Sequence, residues 1–354
     1  MADNGVLIER LLRVIDEGRR TATYKLALVS GLLDAVAELP GDSEIPTRLI
    51  AERVVGLYYP QTRDYVDIAG GTRMIRQITM KSSPVITAVA QLRGSVPTSM
   101  VSLAAARSTN PTGWEHAVDV VEDTFVRYPI PLMQVVGTQL VPFVYDVDWP
   151  QGTAVSSLRR TGRDRVRLLS GVSDSLVTLG PMLRPWIELH WARDVARWSG
   201  IATEDEHLRR HMFGDDREAW PKGLVGGLVE LQGGECFYCG EQLGNRREVD
   251  HFLAWSRWPN NAVENLVVAD RCNSAKSDHL AATEHLARWR LRNEARGSDL
   301  TDLATATRWE SSPTRTWALT RSVYGYLTAG TPLWVRGKQI ELLDEPLSHL
   351  VTIE

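Results

Sequence analysis

An α+β fold, mostly α, follows from three features of the sequence. Apolar residues recur at helical spacing through most of the N-terminal part. Runs of β-branched and aromatic residues suited to strands are few and short. All three cysteines, Cys236, Cys239 and Cys272, fall in one brief segment. The expected organisation is a mainly helical region over 1–222 for target or partner recognition, a compact cysteine-bearing module over 223–300, and a C-terminal elaboration of helix and strand over 301–354.

From Val6 to Glu38 the apolar positions predict two helices jointed at Gly18, with Thr21 or Thr23 as the cap of the second. Leu39-Pro40-Gly41-Asp42 predicts a turn, and IPTRLIAERVVGLYY a helix entered near Pro46 and closed by Pro60. MIRQITMKSSPVITAVAQLRG suggests two short helices divided at Pro84, and Ser108–Gly113 a loop leading to a helix capped by Thr112. LVPFVYDVDW predicts a strand; helices return from Arg163 to Gly200, ending in a piece rich in tryptophan. Gly223, Gly226, Gly227, Gly233 and Gly234 loosen the chain before the cysteines and suggest the domain boundary. LAATEHLARWRLRNEAR and WALTRSVYGYLTAG read as helices, and LWVRGKQIELL as a short strand.

Composition bounds the function classes. Hydrophobic residues make up 43% and charged residues 24% of the 354, an ordinary globular balance. No apolar run reaches the roughly 18–20 residues of a membrane span, and the acidic, amphipathic start lacks a signal-peptide pattern, so a cytoplasmic protein without membrane partners is expected. A net charge of −4 excludes a wholesale basic coat but not a local basic groove. Three cysteines, two of them in a Cys-x-x-Cys pair, suit metal ligation better than a disulfide framework.

The chemistry concentrates in CFYCGEQLGNRREVDHFLAWSRWPNNAVENLVVADRCNSAKSDHL. Cutting a phosphodiester needs a base to activate water and a cation to stabilise the leaving oxygen. Asp250 and His251 are adjacent on an expected strand, where alternation sends their side chains to opposite faces. Asn273, at the start of an expected helix, can complete a site of hard oxygen donors suited to Mg²⁺ or Mn²⁺, while the thiolates suit Zn²⁺.

This segment resembles the HNH, or ββα-metal, nuclease family, which includes many stand-alone bacterial restriction and defence proteins. The family's Asp-His pair falls on Asp250 and His251, its central Asn on Asn265, and its Cys-Asn-x-x-Lys signature on Cys272, Asn273 and Lys276, followed by Asp278. The resemblance implies a β-hairpin followed by a helix, with REVDHFLAW giving a strand and SRWPNNAVENLVV the loop. It further implies His251 as general base, Asp250 and Asn273 as ligands of the catalytic ion, Asn265 as brace of the loop orienting His251, and Lys276 as phosphate contact or support. DNA is the implied substrate, hydrolysed to 5′-phosphate and 3′-hydroxyl ends, with restriction or phage defence as the setting and a homodimer or partner subunit as a further expectation. Zinc-bearing members carry a second Cys-x-x-Cys pair, which Ala269 breaks here; Asp270 or His279 then stands as candidate fourth ligand to structural zinc. The interval from Asn265 to Asn273 is about one residue shorter than the family's, a difference that a β-bulge or tightened turn would absorb.

Plainer readings stand beside these. His251 could be a satisfied core histidine, the cysteines metal-free thiols, and Lys276 a solvated lysine. Arg257, Arg271, Arg288 and Arg292 are candidate nucleic-acid contacts; Arg288, Arg292 and Arg296 share one helix face that could track phosphates or simply be solvated beside Glu284 and Glu294. Trp186, Trp191 and Trp198 fit a core better than a stacking platform. The alternatives in other classes are a nucleic-acid- or protein-binding module on an inactive scaffold, and an RNA-cutting toxin.

Overall fold

A computed structural model describes residues 4–16, 20–67, 70–80, 82–97, 102–136, 139–202, 206–214 and 220–350. The chain is α+β and mostly helical, and divides into two compact units, Met1–Asp216 and Arg217–Glu354. No helix among the described residues is long and apolar enough to cross a membrane.

In the first unit, helix α1 (Asn4–Asp16) buries Leu7, Leu11 and Ile15, spaced four apart on one face. Helix α2 (Tyr24–Glu38) is buried from Leu26 to Ala37 and forms the centre of this unit. The expected joint at Gly18 lies outside the described residues. Thr23 precedes α2 without capping it: its hydroxyl is buried against the Tyr58 hydroxyl (2.8 Å) and Gln77 Oε1 (3.0 Å). Strand β1 (Glu44–Pro46) leads into α3 (Thr47–Tyr58), and a hairpin of β2 (Asp64–Val66) and β3 (Thr72–Met74) follows.

Of the two helices expected around Pro84, the described residues form one. Helix α4 (Pro84–Gly94) starts at that proline with Ser83 as its cap, because proline suits the first helical position but not the interior. The loop expected at Ser108–Gly113 shrinks to Asn110, which ends α5 (Leu103–Thr109) and caps α6 (Pro111–Arg127) by accepting from Gly113 N at 2.9 Å; Thr112 is not the cap. A short α7 (Pro129–Leu132) precedes the small pair β4 (Val135–Val136) and β5 (Gln139–Leu140). LVPFVYDVDW contributes only short pieces of strand, the second being β6 (Tyr145–Asp146). After α8 (Val155–Thr161), β7 (Arg165–Leu168) joins β1 and β6 in an antiparallel sheet ordered β1-β7-β6. The tryptophan-rich stretch belongs to one helix, α9 (Val172–Ser199), where Trp191 is fully buried and donates to Gln77 Oε1 at 2.8 Å. Helix α10 (Glu206–Phe213) ends the described part of this unit.

The second unit begins with α11 (Leu224–Leu231), so Gly226 and Gly227 lie inside a helix rather than loosening a linker. A Cβ on Gly227 would come within 2.3 Å of Leu303 Cδ1, which explains the glycine as close packing of α11 on a later helix. Strand β8 (Glu248–His251) pairs antiparallel with β9 (Leu266–Ala269) in regular register, without a bulge. Helix α12 (Arg271–Lys276) follows directly. Helices α13 (Thr283–Ala295), α14 (Gly297–Thr307) and α15 (Pro313–Gly325) pack around this hairpin. The C-terminal strand is a hairpin, β10 (Pro332–Arg336) with β11 (Gln339–Leu342). It is sewn to the chain after α12 by Trp334 N to Leu280 O (2.8 Å) and Ala282 N to Trp334 O (2.7 Å). Leu224 and Leu228 of α11, Val263, Leu266 and Val268 about β9, and Leu300 and Ala304 of α14 form one apolar core beneath the hairpin.

Candidate active site and metal centre

Asp250 and His251 end β8, and both are almost wholly buried. Alternation along the strand divides their environments. The Asp250 carboxylate accepts from the Tyr238 hydroxyl at 2.5 Å and pairs with Lys276 Nζ at 3.1 Å, both at Oδ2. Burial, and next the Asp250 carboxylate, push the Tyr238 phenol well above its ordinary range, so it stays a donor. His251 points elsewhere: its Nε2 lies 2.8 Å from Asn261 Oδ1, and its ring meets Trp255 and Trp220 at centroid distances of 5.4 and 6.1 Å. An amide oxygen can only accept, so Nε2 is the donor in this contact, and in the neutral ring the lone pair then sits on Nδ1. That is the tautomer a general base needs.

Asn265 is fully buried immediately before β9 and holds the loop between the strands from inside. Its Oδ1 accepts from Leu253 N (2.8 Å), and its Nδ2 donates to Leu253 O (3.1 Å) and Asn260 O (3.0 Å). The side chain thus bonds both ends of the segment that carries Trp255 and leads to Asn261.

Lys276 is also fully buried, with Nζ on Asp250 and on the His251 carbonyl (3.0 Å). It is neither a solvated lysine nor placed to meet a phosphate; it ties α12 to β8. Burying this ammonium is tolerable because the carboxylate, the carbonyl and the Tyr238 ring, 5.9 Å away, replace its water. Asn273, one turn earlier, donates Nδ2 to Glu248 Oε2 at 3.0 Å, which takes up the amide's donor and leaves Oδ1 as the end that can bind a cation.

The three thiols converge: the sulfurs of Cys236, Cys239 and Cys272 lie within 4.8 Å of one another. Gly240, with φ at +71°, turns the chain after Cys239 so that its N–H reaches Cys236 O at 2.9 Å. Burial raises the Cys236 thiol, but N–H groups of Cys239, Asp270 and Tyr238 aimed at its sulfur more than offset this and leave it lowered. Cys272 is pushed up to about 12, by burial first and by Cys236 second. Such convergence of soft donors, with N–H groups directed at one sulfur, fits a divalent metal such as zinc. Neither candidate fourth ligand joins them: among the described residues no histidine or carboxylate shares the cluster, and His279 Nδ1 lies 2.9 Å from Lys276 O instead.

The arginines expected to track phosphate mostly do other work. Arg292 turns inward and donates to Leu266 O (2.7 Å) and Glu264 O (2.6 Å), and burial lowers it to about 10. Arg288 donates to Phe237 O (2.9 Å) and Tyr238 O (2.7 Å), pinning the cysteine turn to α13. Arg257 donates to Asp278 O (3.1 Å), and the exposed Arg271 pairs with Glu241 (2.9 Å). Tyr238, Glu248, Asn261, Trp220 and Trp255 are site residues that the sequence did not single out. Only Glu248 carried a usable signal, since a residue two before Asp250 on a strand shares its face.

Residues 5–212 match the model of a family described as a domain of unknown function, DUF8808. No curated protein and no solved structure matches the chain.

Proposed function

The chain belongs to the family described as a domain of unknown function, DUF8808, whose match stops at residue 212, and from the site beyond it we propose a metal-dependent HNH-type endonuclease that hydrolyses DNA phosphodiester bonds. The observation that carries this reading is the state of His251. Its ring stands at the end of a hairpin strand, with Nε2 engaged by Asn261 and Nδ1 left basic, next in sequence to a carboxylate and beside a helix bearing Asn273. A binding scaffold would have no need of this tautomer.

His251 Nδ1 takes the proton of the attacking water, and Asn261 keeps the imidazole oriented as it becomes charged. Asn265 fixes the loop in which that geometry resides. The donor set of Asp250 and Asn273, both hard oxygens, with Glu248 on the same strand face as Asp250, fits Mg²⁺ or Mn²⁺. When bound, the ion would supply Lewis-acid stabilisation of the scissile phosphate and leaving oxygen. Lys276 and Tyr238 hold Asp250 in place. The cysteine cluster would hold structural zinc, staking the turn before β8 to the start of α12. By likeness to HNH enzymes the products carry 5′-phosphate and 3′-hydroxyl ends, and restriction or phage defence is the proposed setting. Supercoiled plasmid incubated with Mg²⁺ or Mn²⁺ tests the reading: nicking or linearisation is expected, and none with EDTA or with His251→Ala. Tight DNA binding without product under either ion would instead mark a binding module, and cleavage of RNA alone a ribonuclease.

A further inference from the structure

Seven tryptophans lie in the second unit. Trp258, Trp289 and Trp334 are fully buried and build its core, and the partly covered Trp317 stacks on Trp289 with Arg290 over its ring. Trp220, Trp255 and Trp309 are only partly covered, and they gather at His251. Trp255 lies four residues beyond His251 on the loop that Asn265 holds, its ring tilted 51° to the imidazole. Trp220 meets the same imidazole from α11's approach and packs edge-on against Trp309 at 5.4 Å. Trp309 is itself committed, donating Nε1 to Asn261 O at 2.6 Å. Trp220 and Trp309 also lean on the apolar core, whereas Trp255 does not belong to that cluster.

We propose that Trp255, with Trp220 beside it, is a stacking platform for the nucleobase next to the scissile phosphate, and that the site therefore acts on unstacked nucleotides: single-stranded or locally opened DNA. The inference rests on the nuclease reading of His251. Its physical basis is direct. A phosphate placed for attack at His251 has a base one sugar away, and the surface at hand there is indole. Within a duplex both faces of each base are occupied by neighbouring bases, so an aromatic side chain can take a face only where the strand is single or the base is turned out. Arg288 and Arg292 do not serve as substrate holders, since they spend their donors on backbone carbonyls.

The test is equilibrium binding of labelled oligonucleotides to the full chain carrying His251→Ala, which keeps the DNA intact. Three probes are compared: a single strand, the matching duplex, and a single strand with the same backbone lacking bases. The single strand should bind most tightly, and the baseless strand and the duplex more weakly. Adding Trp255→Ala should weaken single-strand binding about tenfold or more while leaving the duplex nearly unchanged; Trp255→Phe, which keeps a ring, should restore most of it. Equal binding of all three probes, or equal losses on single strand and duplex, would overturn the platform. Cleavage of single-stranded circular DNA by the wild-type chain separates the two readings: cleavage with an indifferent Trp255 sinks the platform alone, and Trp255-dependent single-strand binding without cleavage of that DNA sinks the nuclease alone.

Discussion

Replacing Asn265 with alanine removes three hydrogen bonds and leaves Leu253 N, Leu253 O and Asn260 O without the partner that satisfies them in a fully buried setting. A neutral buried bond is worth about 1 kcal/mol net, and an orphaned buried group costs about 1–3 kcal/mol. Some groups recover water as the loop loosens, so the loss falls at about 3 kcal/mol, concentrated on the segment between β8 and β9. That energy corresponds to roughly a hundredfold change in the local opening equilibrium. Amide hydrogen exchange by mass spectrometry reads it: peptides containing Leu253 should exchange about a hundredfold faster in Asn265→Ala, while α2 in the other unit is unchanged. Cleavage should fall with it, because Asn261 and Trp255 both ride on this loop. Asn265→Asp, which keeps the acceptor for Leu253 N but loses both donors, should exchange nearly as fast. Unchanged exchange at Leu253 would refute the brace.

Lys276→Met keeps most of the volume but strips Asp250 of its buried counter-charge; breaking such a pair costs about 3–5 kcal/mol, so the thermal transition of the second unit should drop by on the order of 10 °C. A transition at the wild-type temperature would mean that Lys276 is not held where it lies. Native mass spectrometry of the purified chain should show bound zinc, and Cys272→Ser should abolish it and loosen the start of α12. Full retention of zinc would remove Cys272 from the ligand set. In the first unit, burial raises Glu188 to about 7 despite the nearby Arg184 and Arg209. The unfolded chain releases that proton first as pH rises from about 4.5, so this group lowers stability increasingly between pH 4.5 and 7 and by a constant amount above. At about 1.4 kcal/mol per pH unit the effect reaches about 3 kcal/mol, and Glu188→Gln should flatten that slope in denaturant unfolding; an identical slope would contradict it.

The parts of this chain legible from sequence are those whose chemistry demands particular residue types. Cys236, Cys239 and Cys272 announced a cluster because few other roles suit three thiols so placed, and Asp250, His251, Asn265 and Asn273 stood at spacings that a hairpin and helix bring together. Residues that gain meaning only from neighbours were hidden. Asn261 is an ordinary loop asparagine until its oxygen meets His251 Nε2, and Tyr238 an ordinary core tyrosine until its hydroxyl meets Asp250. Arg288 and Arg292 misled because helical spacing assigns a face and not a direction: their long stems carry the guanidinium back onto backbone carbonyls of the cysteine turn and β9. The sheet of β1, β6 and β7 was unreadable because strands of two to four residues are too short to display alternation. Gly227 looked like a linker glycine, and only the approach of Leu303 shows it to be a packing glycine.

The nuclease reading stands or falls on His251. Supercoiled plasmid should be nicked or linearised by the wild-type chain in Mg²⁺ or Mn²⁺, spared in EDTA, and spared by a folded His251→Ala variant that still binds DNA. Equal cleavage by wild type and His251→Ala, or no cleavage of any DNA or RNA by a folded, zinc-loaded wild type, would contradict it.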